Sequence, residues 1–155
     1  IRMQKAPILF ATRRNFLWVI FVWNIDVALV GKVIIILLFM SQYTGSCHCG
    51  TVRYTAELDL SSPVLECNCS HCQRKWFLLS FIPNSDFELL SGEDKFTQYL
   101  FNTHKIHHRF CSICGVQCFG EGEQDWQKTY AINVRTLEDV DLGSLTRMPY
   151  DGKSL

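Results

Sequence analysis

The chain has 155 residues, enough for one domain and little more. With 48% hydrophobic and 19% charged residues, its composition excludes a disordered chain and supports a packed core. The formal charge of zero is a cancellation between residues 1–40, at +4, and residues 41–155, at −4; an acidic domain repels phosphate backbones, which argues against general nucleic-acid binding.

The first region is apolar from Phe16 to Met40 but is interrupted by Asn24, Asp26 and Lys32. A membrane helix needs ~20 predominantly apolar residues, and the interruptions make this a poor span. Arg13-Arg14 before the apolar run has the look of a signal anchor, and the acid-free basic start that of a transit peptide. The start at Ile1 also fits a fragment or an upstream stretch foreign to the domain. The expected organisation is a hydrophobic, basic N-terminal extension over residues 1–42 and a folded domain over residues 43–155.

From Tyr43 onward the pattern changes to short alternating runs separated by turn residues. Thr51 to Ala56 places Val52, Tyr54 and Ala56 on one face, and Phe77 to Ile82 is an apolar run stopped by Pro83. Further strands are expected over Phe87 to Leu90, Phe96 to Phe101, Ile106 to Phe110 and Thr129 to Val134. Leu137, Val140 and Leu145 among acids suggest a short helical turn. The recurrent turn signals predict an all-β domain.

All eight cysteines follow residue 46, as Cys47-x-Cys49, Cys67-x-Cys69-x₂-Cys72, Cys111-x₂-Cys114 and a separate Cys118. Cysteines one or two residues apart rarely meet disulfide geometry with each other, whereas a tight turn aims two thiolates at one cation. The spacing therefore favours zinc over a secreted disulfide framework. Spacing alone pairs Cys69 and Cys72 with Cys111 and Cys114 as a zinc ribbon, but strands Cys47, Cys49 and Cys67. A closed set of four and an open set of three uses all seven, without the spacings fixing which knots combine.

The segments Thr44-Gly-Ser-Cys-His-Cys-Gly-Thr-Val-Arg-Tyr54, Glu66-Cys-Asn-Cys-Ser-His-Cys-Gln-Arg-Lys75, His108-Arg-Phe-Cys-Ser-Ile-Cys-Gly-Val-Gln117 and Tyr130-Ala-Ile-Asn-Val-Arg135 resemble the glutathione-dependent formaldehyde-activating family, which includes centromere-protein-V-like members. The resemblance runs from Tyr43 to the C-terminus. It implies a small zinc-stabilised domain of coiled antiparallel β-sheets. It also implies a structural zinc on Cys47, Cys49, Cys111 and Cys114, and an active-site zinc, which need not be fully occupied, on Cys67, Cys69 and Cys72. Trp76 departs from the family pattern, where many relatives have a small residue, and could reshape the substrate pocket. Cys118 reads as a buried small hydrophobe rather than a ligand.

Three thiolates around Zn²⁺ leave a net charge of −1, poorly suited to making hydroxide. Such a site is better used to take up a substrate thiol and lower its pKa from the free value of ~8.5. Thiolate addition to an aldehyde carbon gives an S-hydroxyalkyl adduct, and the reverse step cleaves a carbon–sulfur bond. The expected function is a zinc-dependent carbon–sulfur lyase acting on a glutathione-like thiol and a small aldehyde.

Arg74 could grip a carboxylate of the thiol as a planar fork. Asn133, polar between Ile132 and Val134, is a candidate to face the pocket. His71 is expected in the surroundings of the open site rather than as a ligand, and His104, His107 and His108 in structural roles. The alternative reading is a non-catalytic zinc-stabilised protein-interaction domain. Exposed thiolates favour a reducing, cytoplasmic location over membrane insertion, which would place them in an oxidising lumen. No feature sets an oligomeric state.

Overall fold

The computed structural model describes residues 40–124 and 126–154; through residue 39, the expected N-terminal extension lies outside the described residues. The regular elements of the described part are mostly strands, arranged in two sheets. The first sheet joins β1 (Ser41–Ser46), β2 (Arg53–Leu58) and β5 (Phe87–Ser91), all antiparallel. The second runs β10 (Arg147–Tyr150), β3 (Val64–Cys67), β4 (Leu79–Pro83), β9 (Gln127–Asn133), β8 (Phe119–Gln124), β7 (His107–Cys111) and β6 (Phe96–Tyr99). Its neighbours are antiparallel except β10 and β3, which are parallel. The all-β expectation therefore holds, with one parallel pair at an edge.

Alternation makes β2: Tyr54, Ala56 and Leu58 are buried while Arg53 and Glu57 face out. β1 has no such pattern, and its register with β2, Ser41 opposite Leu58 through Ser46 opposite Arg53, supplies its backbone partners. It opens just before the Tyr43 start expected for the domain. Gly45 is dictated by packing, since a Cβ there would collide with the Tyr54 ring. Tyr54 cannot give way: it is fully buried and its hydroxyl lies 2.9 Å from Thr136 Oγ1.

The two sheets meet through aromatic rings. Phe87 of β5 stacks on Tyr130 of β9 with centroids 3.9 Å apart and meets Phe119 of β8 edge-on at 4.8 Å. Tyr54 packs against both Phe87 and Phe119. Such pairs add ~0.5–1.5 kcal/mol beyond the area they bury. Cys47, Cys111 and Cys118 belong to this same core. A second, smaller core gathers Val64, Leu78 and Val134.

Two expected elements are corrected. The strand placed over Phe77 to Ile82 begins at Leu79, because Phe77 and Leu78 are buried beneath the turn leaving the helix rather than alternating within a sheet. The helical turn expected around Leu137 to Leu145 is not there; a 3-10 turn lies earlier, at Val134–Thr136. Leu137, Val140, Leu142 and Leu145 instead fold down through irregular turns onto the second core, so their apolar spacing reflects packing rather than helical period.

Candidate metal centres

Two groups of cysteines converge, one of four and one of three, with their sulfurs in each group within 4.8 Å of one another. All eight cysteines are free.

The group of four unites Cys47 and Cys49, in the turn after β1, with Cys111 and Cys114, at the end of β7 and in its following turn. The two turns share one plan. Gly50 N–H donates to the Cys47 carbonyl at 2.9 Å, and Gly115 N–H to the Cys111 carbonyl at 2.8 Å. Each glycine directly follows the second cysteine of its knot and has φ of 74°, the left-handed conformation open to glycine at little cost. The chain thereby doubles back and turns both sulfurs to one side.

Cys47 Sγ and Cys49 Sγ lie 3.5 Å apart, and Cys49 Sγ and Cys111 Sγ 3.7 Å. A tetrahedron with ~2.3 Å metal–sulfur bonds has sulfur–sulfur edges of about 3.8 Å, so the group already has the dimensions of a four-thiolate site. Cys47 and Cys111 are buried, and Val52 N–H donates to Cys47 Sγ at 3.3 Å. Burial pushes the Cys47 thiol up to about 11, whereas hydrogen bonding with the side chain and backbone of Thr51 draws the exposed Cys49 down to about 6. Thr51 stands outside the cysteine pattern and was not singled out by sequence; its only signal is its place after Cys49-Gly50.

The group of three lies at the end of β3 and the start of the single described helix, α1 (Ser70–Lys75). Cys69 is the N-cap of α1, and its sulfur accepts from Cys72 N–H at 3.4 Å. Cys67 Sγ accepts from Cys69 N–H, also at 3.4 Å. The helix carries no apolar period; its cap and first turn are made by the cysteines themselves. Burial pushes the Cys72 thiol up, while at Cys69 the opposing effect of burial is outweighed by hydrogen bonds from the Cys72 and His71 backbone, and its pKa falls. Among the described residues no further His, Cys, Asp or Glu ligand atom joins this group. Cys69 and Cys72 thus do not share a centre with Cys111 and Cys114, which removes the zinc-ribbon pairing that spacing alone suggested.

The remaining candidates are placed differently from one another. Arg74 is on the exposed side of α1, its guanidinium donating to the Ser70 carbonyl at 2.6 Å. Asn133 is buried: its Nδ2 donates to the Gln117 carbonyl at 3.0 Å and its Oδ1 accepts from Arg135 N–H at 3.3 Å. Both ends of its amide are thus held by backbone groups, which braces the end of β9. Trp76 closes α1 with a left-handed φ of 54° and is 72% exposed, so its bulk lies toward solvent. Cys118 is buried in the main core apart from both groups, and burial holds its thiol at about 12.

His71 lies outside both cysteine groups. Its ring packs against His108 at 4.3 Å, Phe101 at 5.1 Å and Phe77 at 5.6 Å, with Nε2 buried and without a hydrogen-bond partner. His108 is buried with its Nδ1 3.3 Å from Gln117 Nε2, whereas His107 turns outward to Gln98, as strand alternation requires. Neither they nor His104 join a cysteine group. Among the described residues no helix is long and apolar enough to cross a membrane.

Residues 42–148 match the family model described as glutathione-dependent formaldehyde-activating enzyme. The crystal structure of a Rhodobacter sphaeroides protein is similar in fold with a TM-score of 0.61; it is 31% identical, and the match covers 68% of this chain and 97% of that one.

Proposed function

The chain belongs to the glutathione-dependent formaldehyde-activating enzyme family, and from that premise we propose that it is a zinc-dependent carbon–sulfur lyase that forms or cleaves the S-hydroxyalkyl adduct of a glutathione-like thiol and a small aldehyde. The observation that carries this reading is the unequal division of sulfur: a closed group of four and a group of three with no fourth protein ligand among the described residues. Both groups fit zinc in donor type, and the four-cysteine group also in dimensions.

In this reading Cys47, Cys49, Cys111 and Cys114 hold the structural ion and Cys67, Cys69 and Cys72 the reactive one. When bound to the three cysteines, zinc supplies a positive centre that lowers the pKa of a thiol offered to its remaining position. The thiol sulfur bonds to the aldehyde carbon while its proton passes to the former carbonyl oxygen; the reverse step breaks the carbon–sulfur bond and returns both. The N–H groups of Cys69 and Cys72, aimed at Cys67 Sγ and Cys69 Sγ, hold negative charge on the ligands and fix their direction. Arg74, exposed one turn beyond Cys69, is the group proposed to receive a carboxylate of the thiol.

A cytoplasmic setting is supported by the eight free thiols, which an oxidising compartment would threaten. The test is the rate at which the zinc-loaded chain forms S-hydroxymethylglutathione from glutathione and ¹³C-formaldehyde, followed by NMR against the uncatalysed reaction. Acceleration that disappears in Cys69→Ser supports the proposal. No acceleration with glutathione or any of a panel of small thiols would leave a zinc-stabilised interaction domain as the better reading.

A further inference from the structure

The three-cysteine group is flanked by a segment that no sequence motif marks. β10 runs parallel to β3 with Tyr150 opposite Cys67, and beyond Tyr150 the chain turns across the group. Asn68, between two of the cysteines, ties this turn down at three points. Its N–H donates to the Tyr150 carbonyl at 3.1 Å, its Nδ2 donates to Asp151 Oδ1 at 2.8 Å, and its Oδ1 accepts from Lys153 N–H at 3.0 Å.

Gly152 sits at the centre of the strap so formed. A Cβ at this position would lie 2.6 Å from Cys67 Sγ, closer than side-chain carbons approach other atoms, and 3.1 Å from Cys69 Cβ, a tight contact. Its φ is outside the left-handed region, so the backbone conformation does not demand glycine. The nearby sulfur does.

We infer that Tyr150–Lys153 forms a wall of the three-cysteine centre, with Gly152 and Asn68 as positioning residues: Asn68 anchors the strap, and Gly152 lets bare backbone rest against Cys67 Sγ so that this sulfur keeps one direction. The inference rests on the proposed reading in one respect, that the three cysteines hold a metal. It assigns the metal's environment a boundary: the flank behind Cys67 is closed by backbone, and a substrate thiol approaches from elsewhere.

The two states of Cys67 respond differently to a methyl group at position 152. A free thiol rotates away from it about the Cα–Cβ bond, whereas a sulfur bonded to a metal cannot leave without stretching or breaking that bond. Gly152→Ala therefore spares the fold and weakens the second metal. Removing residues that orient ligands lowers metal affinity by about 10–100-fold, and that loss is expected for Gly152→Ala; Asn68→Ala, which frees the strap while leaving every sulfur in place, should shift affinity in the same direction by less.

The experiment uses the full chain with one equivalent of zinc bound, titrated with Co²⁺ while sulfur-to-cobalt charge-transfer absorption is followed, and unfolding of the one-zinc form measured alongside. Weaker cobalt binding in Gly152→Ala with the parent's unfolding midpoint supports the inference. Cobalt affinity indistinguishable from the parent in a folded Gly152→Ala overturns it. Should Gly152→Ala fail to fold, Asn68→Ala decides by the same criterion. A parent chain that takes no second metal refutes the inference and the proposed function together. A parent that binds the second metal but does no aldehyde chemistry refutes the function alone.

Discussion

Replacing Cys111 by alanine removes one of four sulfurs from the closed group, and the structure sets the size of the effect. Cys111 is 1% exposed and Cys47 2%, and both lie within the main core. The group clamps the turn joining β1 to β2 against the end of β7, across a separation of 62 residues between Cys49 and Cys111. The lost sulfur leaves a small void costing ~1 kcal/mol, which a domain survives. Loss of the ion is another matter. A structural zinc contributes on the order of 10–16 kcal/mol, against a total stability of about 5–15 kcal/mol for a typical domain, so the reserve is exhausted.

Cys111→Ala is therefore expected to give collapsed amide dispersion in a ¹H–¹⁵N spectrum and no cooperative thermal transition. Cys69→Ser is the matched control: serine keeps an N-cap acceptor for Cys72 N–H, so α1 loses little, while the soft thiolate is gone. That variant should keep its spectrum and lose one metal. Equal loss of fold in both variants would refute the division into a structural and a reactive group.

Three further outcomes follow from particular contacts. Gly45→Ala drives a methyl group into the immobile Tyr54 ring and should lower stability by about 1–3 kcal/mol, read as a fall in urea midpoint at unchanged slope. Burial, reinforced by the nearby charges of His71, Lys75 and His107, holds His108 at about 4 rather than 6.5. The unfolded chain then binds more protons than the folded one between those values, so His108 penalises the fold increasingly as pH falls from 6.5 toward 4, by on the order of 2 kcal/mol. His108→Gln should flatten the pH dependence of stability in that window relative to the parent, and parallel curves would contradict the assignment. Graded chelation should strip the three-cysteine centre first, abolishing thiol-dependent aldehyde consumption while circular dichroism is unchanged, and unfold the domain only when the second equivalent leaves.

Much of this architecture was legible because burial on one face imposes period two. β2, β5, β6, β7 and β9 announce themselves in that way, and the interruption of turn residues marks their ends. β1 was not visible: Ser41-Gln-Tyr-Thr-Gly-Ser46 has no apolar face, and tertiary pairing with β2 makes it a strand. β8, with two glycines among acids, owes its conformation to β7 and β9 on either side. α1 is too short and polar to show a period, and only its position between cysteine ligands explains it.

The cysteine knots could be read as metal ligands because thiolates at such spacing have few other uses, but their division into four and three depends on which strands are neighbours. Asn133 was visible as a polar residue on an apolar strand, yet its partner, the Gln117 carbonyl, belongs to a loop that no local pattern places beside it. Beyond the place of Asn68 between Cys67 and Cys69, nothing local marked Asn68 or Gly152, since what each touches is created by the parallel pairing of β10 with β3.

The most direct test is anomalous diffraction at the zinc edge from crystals of the zinc-loaded chain soaked in glutathione. The account predicts two ions: one enclosed by Cys47, Cys49, Cys111 and Cys114, the other held by Cys67, Cys69 and Cys72 with the sulfur of glutathione completing its coordination. A single ion, or a second one whose remaining position is filled by a side chain that glutathione does not displace, would contradict it.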